Sequence, residues 1–192
     1  EPFVASAFAF GIPQSGARIG PLGIAFAPDG HSVLISGGAG RNALWKLNLS
    51  GGAAAAPLAV LDVPIYDMAF DAAGRLWATT GGGPLVQLDP ETGQIIQRFG
   101  DGVNLGLAVD RDSTRIFVST RHGVEVFDSQ SHEFTPFSIT RVDGLALAPD
   151  GKLWGVSWPR SGDVIRFNSR GRAEVVLKAA KDFSAQADSI AF

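Results

Sequence analysis

Apolar residues recur along this chain in short alternating runs that are interrupted by tight turns. In the clearest case, Val142–Trp154, the apolar run Leu145–Leu147 meets the turn Pro149-Asp150-Gly151 and restarts at Leu153-Trp154. Two short apolar runs joined by such a turn are typical of a pair of antiparallel strands. The same pattern returns as LGIAFAPDGHSVL at Leu22–Leu34, YDMAFDAAGRLW at Tyr66–Trp77 and LGLAVDRDSTRIF at Leu105–Phe117, and DSIAF at Asp188–Phe192 begins a fifth copy.

The spacing of these copies predicts the fold. Counted from the residue that opens each inner strand, they start at Gly23, Asp67, Gly106, Gly144 and Ser189, at intervals of about 40 residues. Units of this length with four strands each are typical of β-propeller blades. The sequence therefore predicts an all-β fold, a β-propeller with four four-stranded blades and the first strand of a fifth.

Each unit divides into four short strands, A to D from the inside outward, that are rich in β-branched and aromatic residues. The blades are predicted at about 22–62, 66–100, 105–140 and 143–180. Ala53–Ala56 is too short to nucleate a helix, so none is predicted. The predicted strands are Ile24–Phe26, Ser32–Ser36, Asn42–Leu47 and Leu58–Leu61; Met68–Phe70, Arg75–Thr79, Leu85–Leu88 and Ile95–Arg98; Leu107–Val109, Arg115–Ser119, Val124–Phe127 and Glu133–Phe137; Leu145–Leu147, Lys152–Ser157, Asp163–Phe167 and Ala173–Leu177.

Both ends carry pieces that do not complete a blade. Within residues 3–10, Val4–Phe10 alternates like a stray outer strand, and Asp188–Phe192 resembles an inner strand. Four units and two such pieces do not make a closed ring. We therefore expect either a single domain or a fragment of a larger propeller, which additional blades or another chain would close. The alternative is that residues 181–192 simply cap the last blade.

Composition indicates a well-packed globular domain. Hydrophobic residues make up 45% of the chain and charged residues 18%, a balance that suits a buried core. No apolar run approaches the roughly 18 residues of a membrane-spanning helix. The net charge of −3 provides no basic surface for nucleic acid. We therefore expect neither a membrane span nor a nucleic-acid partner.

The absence of cysteine excludes disulfides and thiolate metal sites. The chain starts at Glu1 without a methionine, which suggests processing or excision. Few lysines and many alanines and glycines favour an exported bacterial domain, extracellular or periplasmic.

The hairpins with Pro-Asp-Gly turns and the period of roughly 40 residues resemble the NHL-repeat and gluconolactonase/strictosidine-synthase-like group of propellers, with similarity also to YWTD and virginiamycin-lyase-like propellers. The resemblance covers essentially Leu22–Phe192 and implies a six-bladed type of architecture, one that hosts enzymes, sugar binders and scaffolds alike. It also implies that strand A lines a central channel. The D–A and B–C connections would then share one rim, where ligands bind.

On that implied rim, three carboxylates precede inner strands. Asp67, Asp143 and Asp188 would converge on one mouth, with Asn104 as a neutral oxygen donor. Calcium binds several oxygens at one point, so this set is a candidate calcium site. Gluconolactonase-like propellers hold a central metal with a Glu, Asn and Asp set, and this chain lacks a Glu and an Asn pair at the matching places. The alternative is that each aspartate caps its own turn.

Aromatic and basic residues at the same rim are candidates for ligand binding. Tyr66 and Trp158 offer rings that stack on a sugar or peptide, with Arg121 and Arg160 beside them. The same set of candidate rim residues includes His122 and Asn104. For Trp158 the alternative is packing between blades. Three further tryptophans lie inside predicted strands and are expected in the core: Trp45, Trp77 and Trp154.

No nucleophile elbow, HExxH motif or phosphate-binding glycine loop is present in the sequence. The first functional interpretation is therefore a non-enzymatic binding or scaffold module that recognises a protein or a glycan through its rim. The alternative is a calcium-dependent, lactonase-like hydrolase or lyase, with Asp67, Asp143 and Asp188 holding the ion at the channel mouth. Calcium is the only cofactor that the residues suggest.

Overall fold

The computed structural model describes residues 6–157, 161–182 and 190–192, and nearly all its regular structure is β. One helical turn, α1 (Ala179–Asp182), is the only helix in this described part, and the sequence did not predict it. No helix in the same residues is long and apolar enough to cross a membrane. The strands are β1 (Ala9–Phe10), β2 (Ile24–Phe26), β3 (Ser32–Gly37), β4 (Ala43–Asn48), β5 (Gly52–Ala53), β6 (Ala59–Val60), β7 (Met68–Phe70), β8 (Leu76–Ala78), β9 (Gly83–Leu88), β10 (Ile95–Val109), β11 (Arg115–Thr120), β12 (Gly123–Asp128), β13 (Phe134–Ser138), β14 (Gly144–Leu147), β15 (Leu153–Val156), β16 (Val164–Phe167) and β17 (Ala173–Leu177).

The strands pair with their neighbours in sequence, as the hairpin pattern predicts. β2-β3-β4-β6 and β14-β15-β16-β17 are four-stranded sheets, and β7 to β13 form one sheet of seven strands. Every pairing in these three sheets is antiparallel. We call β2, β3, β4 and β6 unit 1; β7, β8, β9 and the start of β10 unit 2; the end of β10 with β11 to β13 unit 3; and β14 to β17 unit 4.

β10 differs from the prediction of two separate strands at Ile95–Arg98 and Leu107–Val109. One strand runs from Ile95 to Val109, pairing first with β9 and then with β11. The register shifts on both sides of Val103, and Gly100 and Gly102 have positive φ angles of 60° and 73°. Bulges absorb extra residues without ending a strand. Units 2 and 3 therefore share one continuous strand, β10.

The inner hairpin turns follow the predicted register. Gly30, Gly74 and Gly151 have φ angles of 69°, 78° and 75°. Glycine adopts this left-handed region without the steric cost that a Cβ brings. The three residues therefore have the same conformational role in units 1, 2 and 4.

The core consists of three apolar clusters, each shared by two successive units. In each cluster, apolar side chains of one unit pack against apolar side chains from the first two strands of the next unit. Units in such an arrangement are stabilised mainly by their neighbours. The clusters include Leu34 and Leu44 with Met68 and Phe70; Trp77 and Phe99 with Leu107 and Phe127; and Phe117 and Val126 with Leu145 and Phe167.

Two of the three tryptophans expected in the core are buried, with Trp45 at 4% and Trp77 at 0% exposure. Trp154 is only half-buried, which corrects that expectation. It lies on the far side of unit 4, where its ring contacts Phe192 and Arg166. No described unit follows unit 4 to cover the rest of the ring.

The terminal segments also depart from the expected strands. Ala9–Phe10 is a strand, but it pairs in parallel with Gly52–Ala53 of the loop between β4 and β6. Residues 1–5 and 183–189 lie outside the described residues. Within the predicted inner strand Asp188–Phe192, Ile190 to Phe192 form no strand.

Candidate functional site

Residues that precede the inner strands of all four units line one cavity of about 520 Å³, which we call the central cavity. The sequence register predicts this convergence, and Tyr66, Asp67 and Asp143 all lie on it. Asp188, the third predicted carboxylate, lies outside the described residues. The remaining lining comes from Ile19, Pro21, Leu22, Ile24, Leu105, Gly106, Leu107, Gly144, Leu145, Ile190 and Ala191, so two carboxylates face a largely apolar wall.

Both carboxyl oxygens of Asp67 accept hydrogen bonds from the backbone. Its Oδ1 accepts the Met68 N–H at 2.9 Å and its Oδ2 accepts the Leu107 N–H at 2.9 Å. The second bond joins the inner strands of units 2 and 3. Burial raises the pKa of Asp67 to about 6, although both N–H donors act to lower it. The carboxyl group therefore changes charge near pH 6. Its donors are backbone N–H groups, as in the alternative in which each aspartate caps its own turn, but the donor at Leu107 belongs to the next unit.

Asp143 lies at a close approach between the backbones of units 3 and 4. Its N–H donates to the Val156 carbonyl at 2.8 Å, and its own carbonyl oxygen would stand 2.0 Å from a Cβ placed on Gly106. Only glycine at position 106 permits this approach. No group of three or more acidic or histidine side chains in the described ranges is arranged to hold a metal ion.

Asn104 does not line the central cavity, which corrects its predicted place beside the aspartates. It lies instead on a second cavity of about 300 Å³ together with Arg121 and His122, and we call this the rim cavity. The reason is that β10 is continuous: Asn104 is inside a strand, where its carbonyl accepts the Gly81 N–H at 3.0 Å. The rim cavity is completed by Gly82, Asp101, Gly102, Thr120 and Glu125.

Hydrogen bonds link four residues of the rim cavity, one of them through the backbone N–H of His122. Arg121 Nε donates to His122 Nε2 at 3.0 Å, and the His122 N–H donates to Thr120 Oγ1 at 3.1 Å. Thr120 Oγ1 in turn donates to Glu125 Oε1 at 3.3 Å. Since His122 Nε2 is an acceptor here, this arrangement assigns the proton of the neutral ring to Nδ1. Of these four residues, Arg121 and His122 are exposed.

Asp101 and Glu125 were missed by the sequence reasoning. Asp101 stands between two glycines in a stretch without apolar alternation, so its strand position depends on the bulge in β10. Glu125 alternates with Val124 and Val126 in a predicted strand. That spacing indicates a side chain on the opposite face from the two valines, but does not place it beside Arg121.

Tyr66 lies apart from the rim cavity, and its ring already has partners. Arg41 Nη1 donates to the Tyr66 hydroxyl at 2.8 Å, and the guanidinium lies 5.7 Å from the ring centroid. A Cβ on Gly81 would lie 2.2 Å from the same ring. Tyr66 therefore packs against Arg41 and Gly81 at the central cavity. Trp158 and Arg160, its predicted companions, lie outside the described residues.

A set of buried hydroxyls positions the inner strands, and the sequence reasoning missed it. Ser36, Thr79 and Ser119 lie within one residue of the ends of β3, β8 and β11 and have no exposed surface. Their oxygens accept the N–H groups of Gly23, Asp67 and Gly106 at 2.8, 3.1 and 2.9 Å. The first two also donate across to the next unit, to the Ile65 carbonyl at 3.0 Å and the Leu105 carbonyl at 2.7 Å. The available signal was a Ser or Thr at the end of every predicted B strand.

No protein-family model matches the sequence, and no curated protein matches it. Solved structures do match. A gluconolactonase from Xanthomonas campestris has a TM-score of 0.66 and 18% identity, over 88% of this chain and 64% of that one. The WD40 domain of Pan2 from Neurospora crassa has a TM-score of 0.57 and 15% identity, over 80% of this chain and 51% of that one.

This chain therefore spans about half of the Pan2 domain and just under two thirds of the gluconolactonase. At these identities the likeness concerns the fold alone. Together with the antiparallel sheets in chain order, it confirms the prediction made from the repeats: the protein has the fold of a β-propeller.

Proposed function

We propose that the protein is a non-enzymatic binding module that recognises a glycan, or a polar surface of a partner protein, through the rim cavity. The observation that supports this proposal is the gathering of polar side chains from two units around about 300 Å³. They are Asp101 and Asn104 on β10, with Thr120, Arg121, His122 and Glu125 from the turn between β11 and β12 and its flanking strands.

The chemistry of this set suits a ligand with many hydroxyl groups. Carboxylates and an amide oxygen accept hydrogen bonds, while guanidinium and imidazole groups donate them. A hydroxyl does both, so neighbouring sugar hydroxyls match alternating donors and acceptors. Arg121 and His122 are exposed, and a ligand can therefore reach them without rearrangement of the core.

The test is titration of the protein with a panel of soluble oligosaccharides, followed by NMR or calorimetry. Arg121→Ala and Asp101→Asn should each weaken binding of a retained sugar by about 10-fold to 100-fold, the effect of losing a hydrogen bond with a charged group. Arg170→Ala, an exposed arginine on the turn between β16 and β17, is the matched control and should leave affinity unchanged. Failure of every saccharide to bind would contradict glycan recognition, and equal losses in all three variants would contradict this location.

A second candidate is a metal-dependent, lactonase-like hydrolase or lyase at the central cavity. Two observations favour it: Asp67 and Asp143 come to one cavity from different units, and a gluconolactonase shares the fold. A calcium ion held there would polarise a substrate carbonyl and lower the pKa of a water molecule. The two backbone bonds of Asp67 weigh against this candidate, which is why it stands second.

Calcium binding is tested by melting the protein with excess chelator and then with millimolar calcium. An ion bound only by the folded state raises the melting temperature with concentration. Asp67→Asn and Asp143→Asn should each reduce that rise, whereas Asp112→Asn, an exposed turn residue, should not. No rise in the wild-type protein would contradict the hydrolase. A rise that is lost only in the Asp112 variant would place the ion in the turn near Asp110.

A further inference from the structure

Arg75 and Arg115 take the same place in units 2 and 3, at the start of the second strand of each. The carbonyl of each arginine accepts the N–H of the aspartate that begins the inner hairpin turn, at 3.0 Å in both units. Each guanidinium also lies over the aromatic ring two residues further on, with Cζ 5.4 Å from the Trp77 ring centroid and 4.7 Å from the Phe117 ring centroid. The surroundings of the two arginines can therefore be compared directly.

Arg75 closes the junction between units 2 and 3. Its Nε donates to Asp71 Oδ2 at 2.6 Å. Its Nη1 and Nη2 donate to the carbonyl and the hydroxyl of Ser129 at 3.2 and 2.8 Å. Ser129 follows β12 in unit 3 and is only 3% exposed, so this arginine bridges the two units and covers the space between them.

Arg115 has no such partners. Among the residues that the structure describes, its guanidinium forms no hydrogen bond or ion pair. Asp110, which takes the place of Asp71, accepts instead from the N–H of Asp112 at 3.1 Å and from the hydroxyl of Ser113 at 2.7 Å. The turn of unit 3 is one residue longer than the matching turn of unit 2, and its own groups occupy the carboxylate. The positive charge over Phe117 is therefore uncompensated.

A cavity of about 370 Å³ lies at the corresponding place between units 3 and 4, and we call it the junction cavity. It is lined by Arg115 and by Ser169, which takes the place of Ser129 but is exposed. Its apolar lining includes Phe137, a half-buried ring that packs 5.2 Å from the ring of Phe117. An open space thus separates the two positions that are hydrogen-bonded at the preceding junction.

The charge of the junction cavity favours an anion. Lys152 and Asp150 also line it, and their side chains pair with each other at 2.5 Å. Because this pair is neutral in sum, the charge that remains on the lining is that of Arg115. The cavity therefore combines one unpaired guanidinium with an aromatic wall.

We propose that the junction cavity binds a small organic carboxylate, with its carboxylate on Arg115 and its apolar body against Phe137. The group that pairs with Arg75 at the preceding junction is the carboxylate of Asp71, and a ligand carboxylate would take the equivalent place. Guanidinium and carboxylate groups match in shape and form two parallel charge-assisted hydrogen bonds. The junction cavity lies at the opposite end of β11 from the rim cavity, so the two sites are separate.

NMR titration with phenylacetate at constant ionic strength tests this proposal, because phenylacetate joins a carboxylate to an aromatic body. It should shift the backbone amide signals of Gly151 and Ser169, which line the junction cavity, in a saturable way. Phenylacetamide has the same shape without the charge, and acetate has the charge without the ring. Each should bind at least about 10-fold more weakly than phenylacetate.

Arg115→Gln removes the charge from an exposed side chain that forms no bond in the described part of the chain. The variant should melt as the wild type does and bind phenylacetate at least about 10-fold more weakly. Arg111→Gln, which changes an exposed arginine on the adjacent turn, is the matched control and should bind as the wild type does. Four results would overturn the proposal: no saturable shift with phenylacetate, equal binding of phenylacetamide, equal losses in both variants, or shifts centred on the rim cavity.

Discussion

Asp67 couples the stability of the protein to pH. Burial raises its pKa to about 6 from the ordinary value of 3.8. A group whose pKa is raised by folding holds its proton more tightly in the folded state. Its stabilising contribution is therefore complete below pH 3.8 and is lost as the pH rises through about 6.

We expect Asp67→Asn to remove this dependence. The free energy of unfolding of the wild type, minus that of the variant, should fall as the pH rises from below 3.8 to above 6, by at most about 3 kcal/mol. Taking the difference cancels the other carboxyl groups, such as Asp71 and Asp128, whose lowered pKa values act in the opposite direction. Asp112→Asn, which changes an exposed aspartate, should follow the wild type. A difference that stays constant with pH would contradict the role of Asp67.

Trp154 has a polar atom without a partner, and comparison with unit 2 shows what is missing. Its buried Nε1 has no hydrogen-bond acceptor within the described part of the chain. In unit 2 the corresponding Trp77 donates to Asp71 at 2.9 Å. The residue that takes the place of Asp71 in unit 4 is Ala148, which begins the same turn.

Ala148→Asp should therefore stabilise the protein by about 1–2 kcal/mol, the net value of a hydrogen bond with one charged partner. Thermal or urea unfolding measures the gain. Ala27→Asp is the control, because Ala27 begins the matching turn of unit 1, where Leu34 replaces the tryptophan and offers no donor. Stabilisation of both variants alike would point to the turn rather than to Trp154.

Which site residues were predictable from the sequence depended on what positions them. The register alone brings Tyr66, Asp67 and Asp143 to one cavity, because every unit opens its inner strand at the same rim. Asn104 lies with Arg121 and His122, as the predicted rim set has it, but not beside the aspartates, since its position follows from a bulged strand. The hydroxyl of Thr79 bonds to the next unit, so its contact depends on how far apart neighbouring units lie. The pattern of residues within one unit carries no information on that distance.

At the scale of elements, the inner hairpins depend on the backbone conformation of their turn glycines. Gly151 has a φ of 75°, and a Cβ placed there meets no atom within 4 Å. Gly151→Val should destabilise the protein by about 1–3 kcal/mol through backbone strain alone. Gly16→Val is the control, as Gly16 has the same open surroundings without a positive φ, and it should change the melting temperature little. Equal losses would contradict the strain account.

The element that the sequence could not predict as one strand is β10. Apolar alternation stops at Gly100-Asp101-Gly102, a composition that indicates a turn. Backbone bonds nevertheless continue, because Gly82 donates to the Val103 carbonyl at 2.7 Å. The pairing of β1 with β5 was equally unpredictable, since the alternation of Val4–Phe10 does not indicate a partner strand and β5 has only two residues.

At the scale of the whole molecule, stability resides in the contacts between units. Trp77 packs with Phe99 and Phe127 at centroid distances of 5.6 and 5.5 Å in the cluster between units 2 and 3. Trp77→Ala should cost about 3–5 kcal/mol. Trp154→Ala should cost distinctly less, because the Trp154 ring is only half-buried. Denaturant unfolding with fluorescence compares the two, and similar losses would contradict the difference in burial.

The order and pairing of the strands were predictable from the sequence because the recurring hairpin is a local signal repeated four times. Strand bounds within the four units agree within two residues except at β10, since turn glycines and aspartates mark them. The identity of a ligand was not predictable, because the rim cavity is built from residues of two units with no shared motif.

The continuity of β10 decides where this chain tolerates an insertion. Between units 3 and 4 the backbone passes through an exposed connection that includes Ile139, and between units 1 and 2 through the segment from Asp62 to Tyr66. Between units 2 and 3 there is no loop at all, only a strand hydrogen-bonded on both sides. The chain should therefore tolerate insertion of a short flexible segment in either of the first two connections, whereas the same insertion inside β10 should disrupt the contacts between units 2 and 3. Gain or loss of a unit during evolution would face the same constraint, with units 2 and 3 inherited as a pair.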